Sequence, residues 1–112
     1  MVSRAYIPER GDIIWLEFDP QAGREQAGRR PALVLSPKPY NQLVSLALCC
    51  PITSQVKGYP FEVLVTTGKI KGAVLSDHLK SLDWRARKAT FIARASSAVL
   101  DEVMAKLGTI LA

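Results

Sequence analysis

The chain has 112 residues, with fifteen Lys or Arg, ten Asp or Glu and one His, giving a formal net charge of +5. That length suits one domain over 1–112 with a single compact core. No apolar run reaches the roughly 18 residues of a membrane span, because Pro51 closes the longest, Leu43 to Ile52. Seven bases against two acids lie within residues 69–94, a surplus equal to the charge of the whole chain. Such a cluster suits a polyanion such as nucleic acid, or else a plain solvated face. Met1-Val2-Ser3-Arg4 has no apolar segment behind it, so a cytoplasmic protein with no membrane association is expected.

In chain order, Gly11 opens a strand in which Ile14, Leu16 and Phe18 share one face and Ile13, Trp15 and Glu17 the other. Asp19-Pro20 ends it, and residues 19–29 read as a long polar loop, a kind that is usually mobile or functional. Ala32 to Leu35 is a short strand apolar on both faces, and residues 37–41 read as a turn. Leu43 to Ile52 is the longest strand. Its adjacent Cys49 and Cys50 face opposite ways, so they are expected to be buried thiols, neither a disulfide nor a metal site.

Further strands are expected at Phe61 to Val65, Gly72 to Ser76 and His78 to Leu82. The last would set His78, Lys80 and Leu82 on one face. Val99, Leu100, Val103, Met104, Leu107, Ile110 and Leu111 recur at helical spacing, with Ser96 or Ser97 as cap. The pattern predicts a mainly β fold with one C-terminal helix, its sheet small and strongly bent.

Glu25-Gln26-Ala27-Gly28-Arg29-Arg30-Pro31 sets a carboxylate and two guanidiniums just ahead of a core strand. A guanidinium there can offer a planar fork to a phosphate; the same stretch also reads as a charged surface loop. RNA can be cut by its own 2′-hydroxyl, given an acceptor for the hydroxyl proton and a cation for the charge building on phosphorus. Glu25 and Arg30 could supply these, and Thr53, at the end of the long strand, could bond a phosphate oxygen. Glu25 could equally form a structural ion pair, and Thr53 could be an ordinary strand-end residue. Trp15, Phe18 and Tyr59 suit base stacking or core packing.

Gly11-Asp12-Ile13-Ile14-Trp15, the Glu25–Pro31 stretch, Pro51-Ile52-Thr53-Ser54-Gln55 and Lys57-Gly58-Tyr59-Pro60-Phe61-Glu62 follow one another in the order shown by the MazF/PemK family of toxin endoribonucleases, which the chain resembles. The resemblance implies an SH3-like small barrel of the CcdB/MazF type. It also implies a homodimer that cuts single-stranded RNA without metal or cofactor, leaving a 2′,3′-cyclic phosphate and a 5′-hydroxyl. The expected partner is an acidic, MazE-like antitoxin. The arginine of the family's Gly-x-Arg-Pro pattern falls on Arg30, the threonine after the long strand on Thr53, and the glutamate of Glu-Gln-x-Gly on Glu25, making these the expected catalytic residues.

Arg29, Phe18, Ser54, Gln55, Lys57, Tyr59, Asp77, His78 and Lys80 are the expected substrate contacts. His78 stands where many members have glutamine, so the family chemistry does not require an imidazole there. CcdB relatives of this barrel poison DNA gyrase and cut nothing, and a plain RNA-binding module is a further alternative. The CcdB group has a Trp-Gly-Ile-type C-terminus, whereas this chain ends Thr109-Ile110-Leu111-Ala112.

Overall fold

The computed structural model describes residues 6–18 and 28–112; Glu25 and the rest of the 19–27 segment lie outside the described residues. Seven strands and two helices follow one another: β1 (Asp12–Phe18), β2 (Gly28–Val34), α1 (Lys38–Val44), β3 (Ala47–Thr53), β4 (Glu62–Thr67), β5 (Ile70–Leu75), β6 (Lys80–Leu82), β7 (Thr90–Arg94) and α2 (Ser97–Leu111). The strands run in the order β4-β5-β3-β2-β1-β7, with β6 also paired to β3. The fold is thus mainly β with a C-terminal helix, its sheet curled into a half-barrel.

The curl follows from β3. Its first half, Ala47 to Cys49, pairs with β6, and its last two residues pair with β5 as Ile52↔Val74 and Thr53↔Ala73. On its other edge it pairs with β2 only at Ala32↔Pro51, Leu33↔Cys50 and Val34↔Cys49. Pro31 and Pro51 have no N–H to give a ladder, and the β2–β3 pairing ends where they lie.

Both faces of the central strands are covered. Ile13, Leu33, Cys50, Ile52, Val63, Val65 and Val74 form one core with Val103 and Leu107 of α2. Ile14, Leu16, Ala32, Val34, Ala47, Cys49 and Trp84 form the other. Alternation along β1 and β3 sends successive residues to opposite cores, and so parts the two cysteines. Both thiols are free and buried, and burial pushes each up to about 12.

The structure corrects several expectations. Residues 37–41 are not a turn, and Leu43 does not begin a strand; both belong to α1. A seven-residue helix is marginal by itself, and this one is held from outside. Glu9 Oε1 accepts from Lys38 N at 2.9 Å at its start, and the completely buried Asn41 donates to Pro8 O and Ser36 O while its own carbonyl accepts from Trp84 Nε1. β2 begins at Gly28, so Arg29 and Arg30 sit on the strand itself, opposite Glu17 and Leu16. β7 was not legible in the charged stretch, because as an edge strand it buries none of its residues completely. His78 lies in the connection after β5, not on a strand with Lys80 and Leu82. Ser96 is the cap of α2, its hydroxyl accepting from Val99 N.

Candidate active-site cleft

Continuing the β2–β3 register two residues past its last pair sets Arg30 opposite Thr53, but the ladder has ended and the strands part. The gap is a cleft of about 440 Å³ lined by Trp15, Arg29, Arg30, Pro31, Ile52, Thr53, Ser54, Gln55, Lys69, Ile70 and Lys71. Four of its lining side chains are cationic and none is a carboxylate. Arg29 is engaged, its guanidinium facing Glu17 Oε2 at 3.4 Å and donating to Thr90 Oγ1. The Arg30 guanidinium has no hydrogen bond or ion pair with any other described residue. A half-buried guanidinium left unspent beside a strand-end hydroxyl is what phosphate recognition requires.

Thr53 is fixed on two sides. Its Oγ1 accepts from Gln55 N at 3.1 Å, which turns the chain out of β3. Behind it lies Gly72 of β5, where an added Cβ would stand 2.0 Å from the Thr53 carbonyl oxygen. No side chain fits there, so the glycine sets how closely β5 approaches the reactive strand end. A glycine inside a strand pattern is the sequence signal that could have found it.

A second cleft, also about 440 Å³, shares Thr53 and Gln55 and continues past Lys57, Gly58, Tyr59, Glu62, Leu75 and His78. Here the Glu62 and Asp77 carboxylates are engaged within the protein, while the Lys57 ammonium, like the Arg30 guanidinium, has no partner among the described residues. The Glu62 carboxylate accepts from the backbone N–H groups of Lys57, Gly58 and Tyr59 at 2.9–3.2 Å, holding the loop as a cradle. The Tyr59 hydroxyl donates to Asp77 Oδ2 at 2.5 Å, and this bond raises the phenol above its usual range. His78 Nε2 lies 3.8 Å from Asp77 Oδ1, a buried oxygen with no hydrogen-bond donor among the described residues.

The expected site residues therefore separate. Arg29, Arg30, Thr53, Ser54 and Gln55 meet in the first cleft; Lys57, Tyr59 and His78 line the second, with Asp77 bonded behind Tyr59. Lys80 lies on β6 opposite Cys49, outside both clefts. Phe18 ends β1 opposite Gly28, and Glu25 lies outside the described residues. The Gly-Asp pair of the first motif is structural. Asp12, 4% exposed, accepts from the Tyr6 hydroxyl, from Glu9 N and from Arg94 Nη1, tying the N-terminal segment to β7. Sequence reasoning also passed over Lys69 and Lys71 as cleft residues.

Residues 9–111 match the family model described as the PemK-like, MazF-like toxin of type II toxin–antitoxin systems. The chain is 48% identical over 111 residues to the endoribonuclease toxin MazF of Escherichia coli K12, an alignment spanning 99% of each chain. It is 38% identical over 105 residues to the endoribonuclease toxin ChpB of the same organism, covering 88% of this chain and 90% of that one. Among solved structures, a MazE–MazF complex from Deinococcus radiodurans matches with a TM-score of 0.89 and 54% identity, over 96% of this chain and 97% of that one. An endoribonuclease from a mycobacterial species, at 18% identity and a TM-score of 0.73, shares the fold.

Proposed function

This chain belongs to the MazF/PemK family of type II toxins, and from that premise we propose how it cuts RNA. It is an endoribonuclease toxin acting on single-stranded RNA, and we place the reaction in the first cleft. The observation that carries this is the Arg30 guanidinium, without a partner among the described residues, lining one cleft with Thr53 where the β2–β3 ladder has ended.

The scissile phosphate sits between them. Arg30 presents two parallel donors to the non-bridging oxygens, where negative charge builds as the 2′-hydroxyl attacks phosphorus. Thr53 donates to one of the same oxygens. Glu25, in the segment leading into β2, takes the proton from the 2′-hydroxyl. The P–O5′ bond breaks and the leaving 5′-oxygen takes up a proton from water, giving a 2′,3′-cyclic phosphate and a 5′-hydroxyl without metal. DNA has no 2′-hydroxyl and is not cut.

The second cleft receives the neighbouring nucleotides. The Lys57–Tyr59 loop, held by Glu62, and the Tyr59–Asp77–His78 group line the path that leads to Thr53. An acidic, MazE-like antitoxin silences the enzyme by covering this path, and the active form is a cytoplasmic homodimer built from this single domain.

The test is incubation of purified protein with a mixed RNA pool in EDTA, followed by analysis of the product ends. Cleavage with cyclic phosphate at one end and hydroxyl at the other is expected. Intact RNA, or cleavage that requires added metal, would overturn the proposal.

A further inference from the structure

The hairpin between β4 and β5 places two lysines on the first cleft. Thr67↔Ile70 is its last pair, and Gly68, at φ +53°, makes the turn. Ile70 is 6% exposed and packs into the core with Val65 and Val74. Because side chains alternate along a strand, burying Ile70 turns Lys71 outward, and Lys69, in the turn just before β5, is exposed as well. Ala73 pairs with Thr53, and Lys71, two residues earlier, falls on the same face of β5. Both lysines line the first cleft with Arg29 and Arg30.

Neither ammonium group has a hydrogen bond or ion pair with any other described residue. Several cations elsewhere are paired: Arg94 meets Asp12, Lys106 meets Glu102 and the Pro60 carbonyl, and Arg10 donates to the Leu35 carbonyl. Around the first cleft, cations converge with no carboxylate among the described lining residues, so an anionic ligand there is favoured by their mutual repulsion. One phosphodiester brings one negative charge, and Arg30 with Thr53 accounts for it. Lys69 and Lys71 are then left over, on the far side of Thr53 from the second cleft.

We propose that Lys69 and Lys71 form a second phosphate subsite, which grips the RNA phosphate next to the scissile one on the side away from the second cleft. The strand then runs from the Tyr59 loop past Thr53 to the β4–β5 hairpin, held by its backbone at the hairpin end. This subsite reads charge and spacing, and no base. The inference rests on the ribonuclease reading above.

The experiment compares the parent with Lys69→Ala/Lys71→Ala. Binding is measured on oligoribonucleotides made uncleavable by one 2′-deoxy sugar, each also carrying a single neutral methylphosphonate linkage at a stepped position. One lost single-strand phosphate contact lowers the salt slope by about 0.7, so the parent's advantage in affinity shrinks about two- to threefold between 50 and 200 mM salt. One methylphosphonate position, adjacent to the scissile linkage, should weaken the parent and leave the variant unaffected.

Equal penalties in both proteins at every position would overturn the subsite. So would an unchanged slope, or a loss confined to binding of an acidic antitoxin peptide. Both lysines are exposed, so folding should be retained, and a matching thermal midpoint checks this. If the parent cuts no RNA, the ribonuclease reading fails by itself, while the binding comparison remains readable.

Discussion

The two clefts meet at Thr53 and differ in their acids: the second holds bonded carboxylates beside Lys57, whereas the first is lined by four cations and no carboxylate among the described residues. In the second, Glu62 is saturated by three backbone N–H groups and Asp77 is bonded to Tyr59. In the first, Arg30, Lys69 and Lys71 face open space without a protein partner among the described residues. A paired group shapes a surface; an unpaired one is free to meet a ligand's charge. The contrast supports the proposed reading, in which the second cleft is largely a preformed wall and the first meets a phosphate's charge. It also separates the expected consequences of mutation: changes in the first cleft act on rate and salt dependence, and changes in the second act on shape.

The largest effect is expected at Arg30. Losing one preorganised donor to a developing charge typically costs ~10²–10³ in rate. Arg30→Ala should lose that much in steady-state turnover. Arg30→Lys should recover only part, since an ammonium cannot offer two parallel donors. Full activity in the lysine variant would mean that simple charge suffices.

Gly72→Ala comes next. Its methyl would meet the Thr53 carbonyl, and the hairpin has to shift. Overpacking of this kind costs about 1–3 kcal/mol, and a 1 Å displacement of a reacting group can cost ~10²-fold in rate. Both a lower thermal midpoint and a slower single-turnover rate are expected, against little change for Gly58→Ala in binding-independent turnover. A Gly72→Ala protein as active as the parent would show that the approach of β5 does not position Thr53.

Glu62→Ala probes the opposite cleft. It strips the acceptor from three N–H groups in an exposed loop, so stability should fall by about 1–3 kcal/mol at most, with RNA affinity weakened more than rate. A rate loss equal to that of Arg30→Ala would abolish the distinction between the clefts. His78→Gln should have the smallest effect, leaving cleavage within roughly tenfold of the parent. A ~10²-fold loss, with a neutral-pH limb vanishing from the rate profile, would instead assign His78 to proton transfer.

The core offers a check that is independent of either cleft. Burial raises both thiols from the ordinary 9.0 to about 12, so the folded state holds its protons more tightly than the unfolded one. The associated stability is complete below about pH 9 and is lost as pH rises toward 12. Thermal midpoints should fall over that window, and less steeply for Cys49→Ala/Cys50→Ala.

Much of this was legible in the residues. Period-two alternation gave β1 and the opposed cysteines, the apolar run before Pro51 gave the body of β3 though not its start, and helical spacing gave α2, whose apolar stripe faces the core. α1 and β7 carry no such local pattern. α1 is held by Glu9, Asn41 and Trp84 from distant segments, and β7 is an exposed edge. The motif order brought Arg30 and Thr53 to attention, but their meeting depends on a ladder that stops at Pro31 and Pro51, a property of pairing between strands. Lys69 and Lys71 were counted only as charge; their place in the cleft depends on Ala73 pairing with Thr53, which no local pattern encodes. The Gly-Asp pair carried the opposite lesson, since Asp12 proved to be a buried anchor.

The central claim is that Arg30, facing Thr53, acts on the transition state more than on binding. Its most direct test pairs single-turnover cleavage at saturating protein with a binding titration on an uncleavable 2′-deoxy substrate, for Arg30→Ala beside the parent. The account predicts a salt slope lower by only about 0.7 and a modest loss of affinity, with cleavage at saturation still reduced ~10²-fold or more. Full recovery of the parent's rate at saturation, with the whole loss residing in affinity, would contradict it.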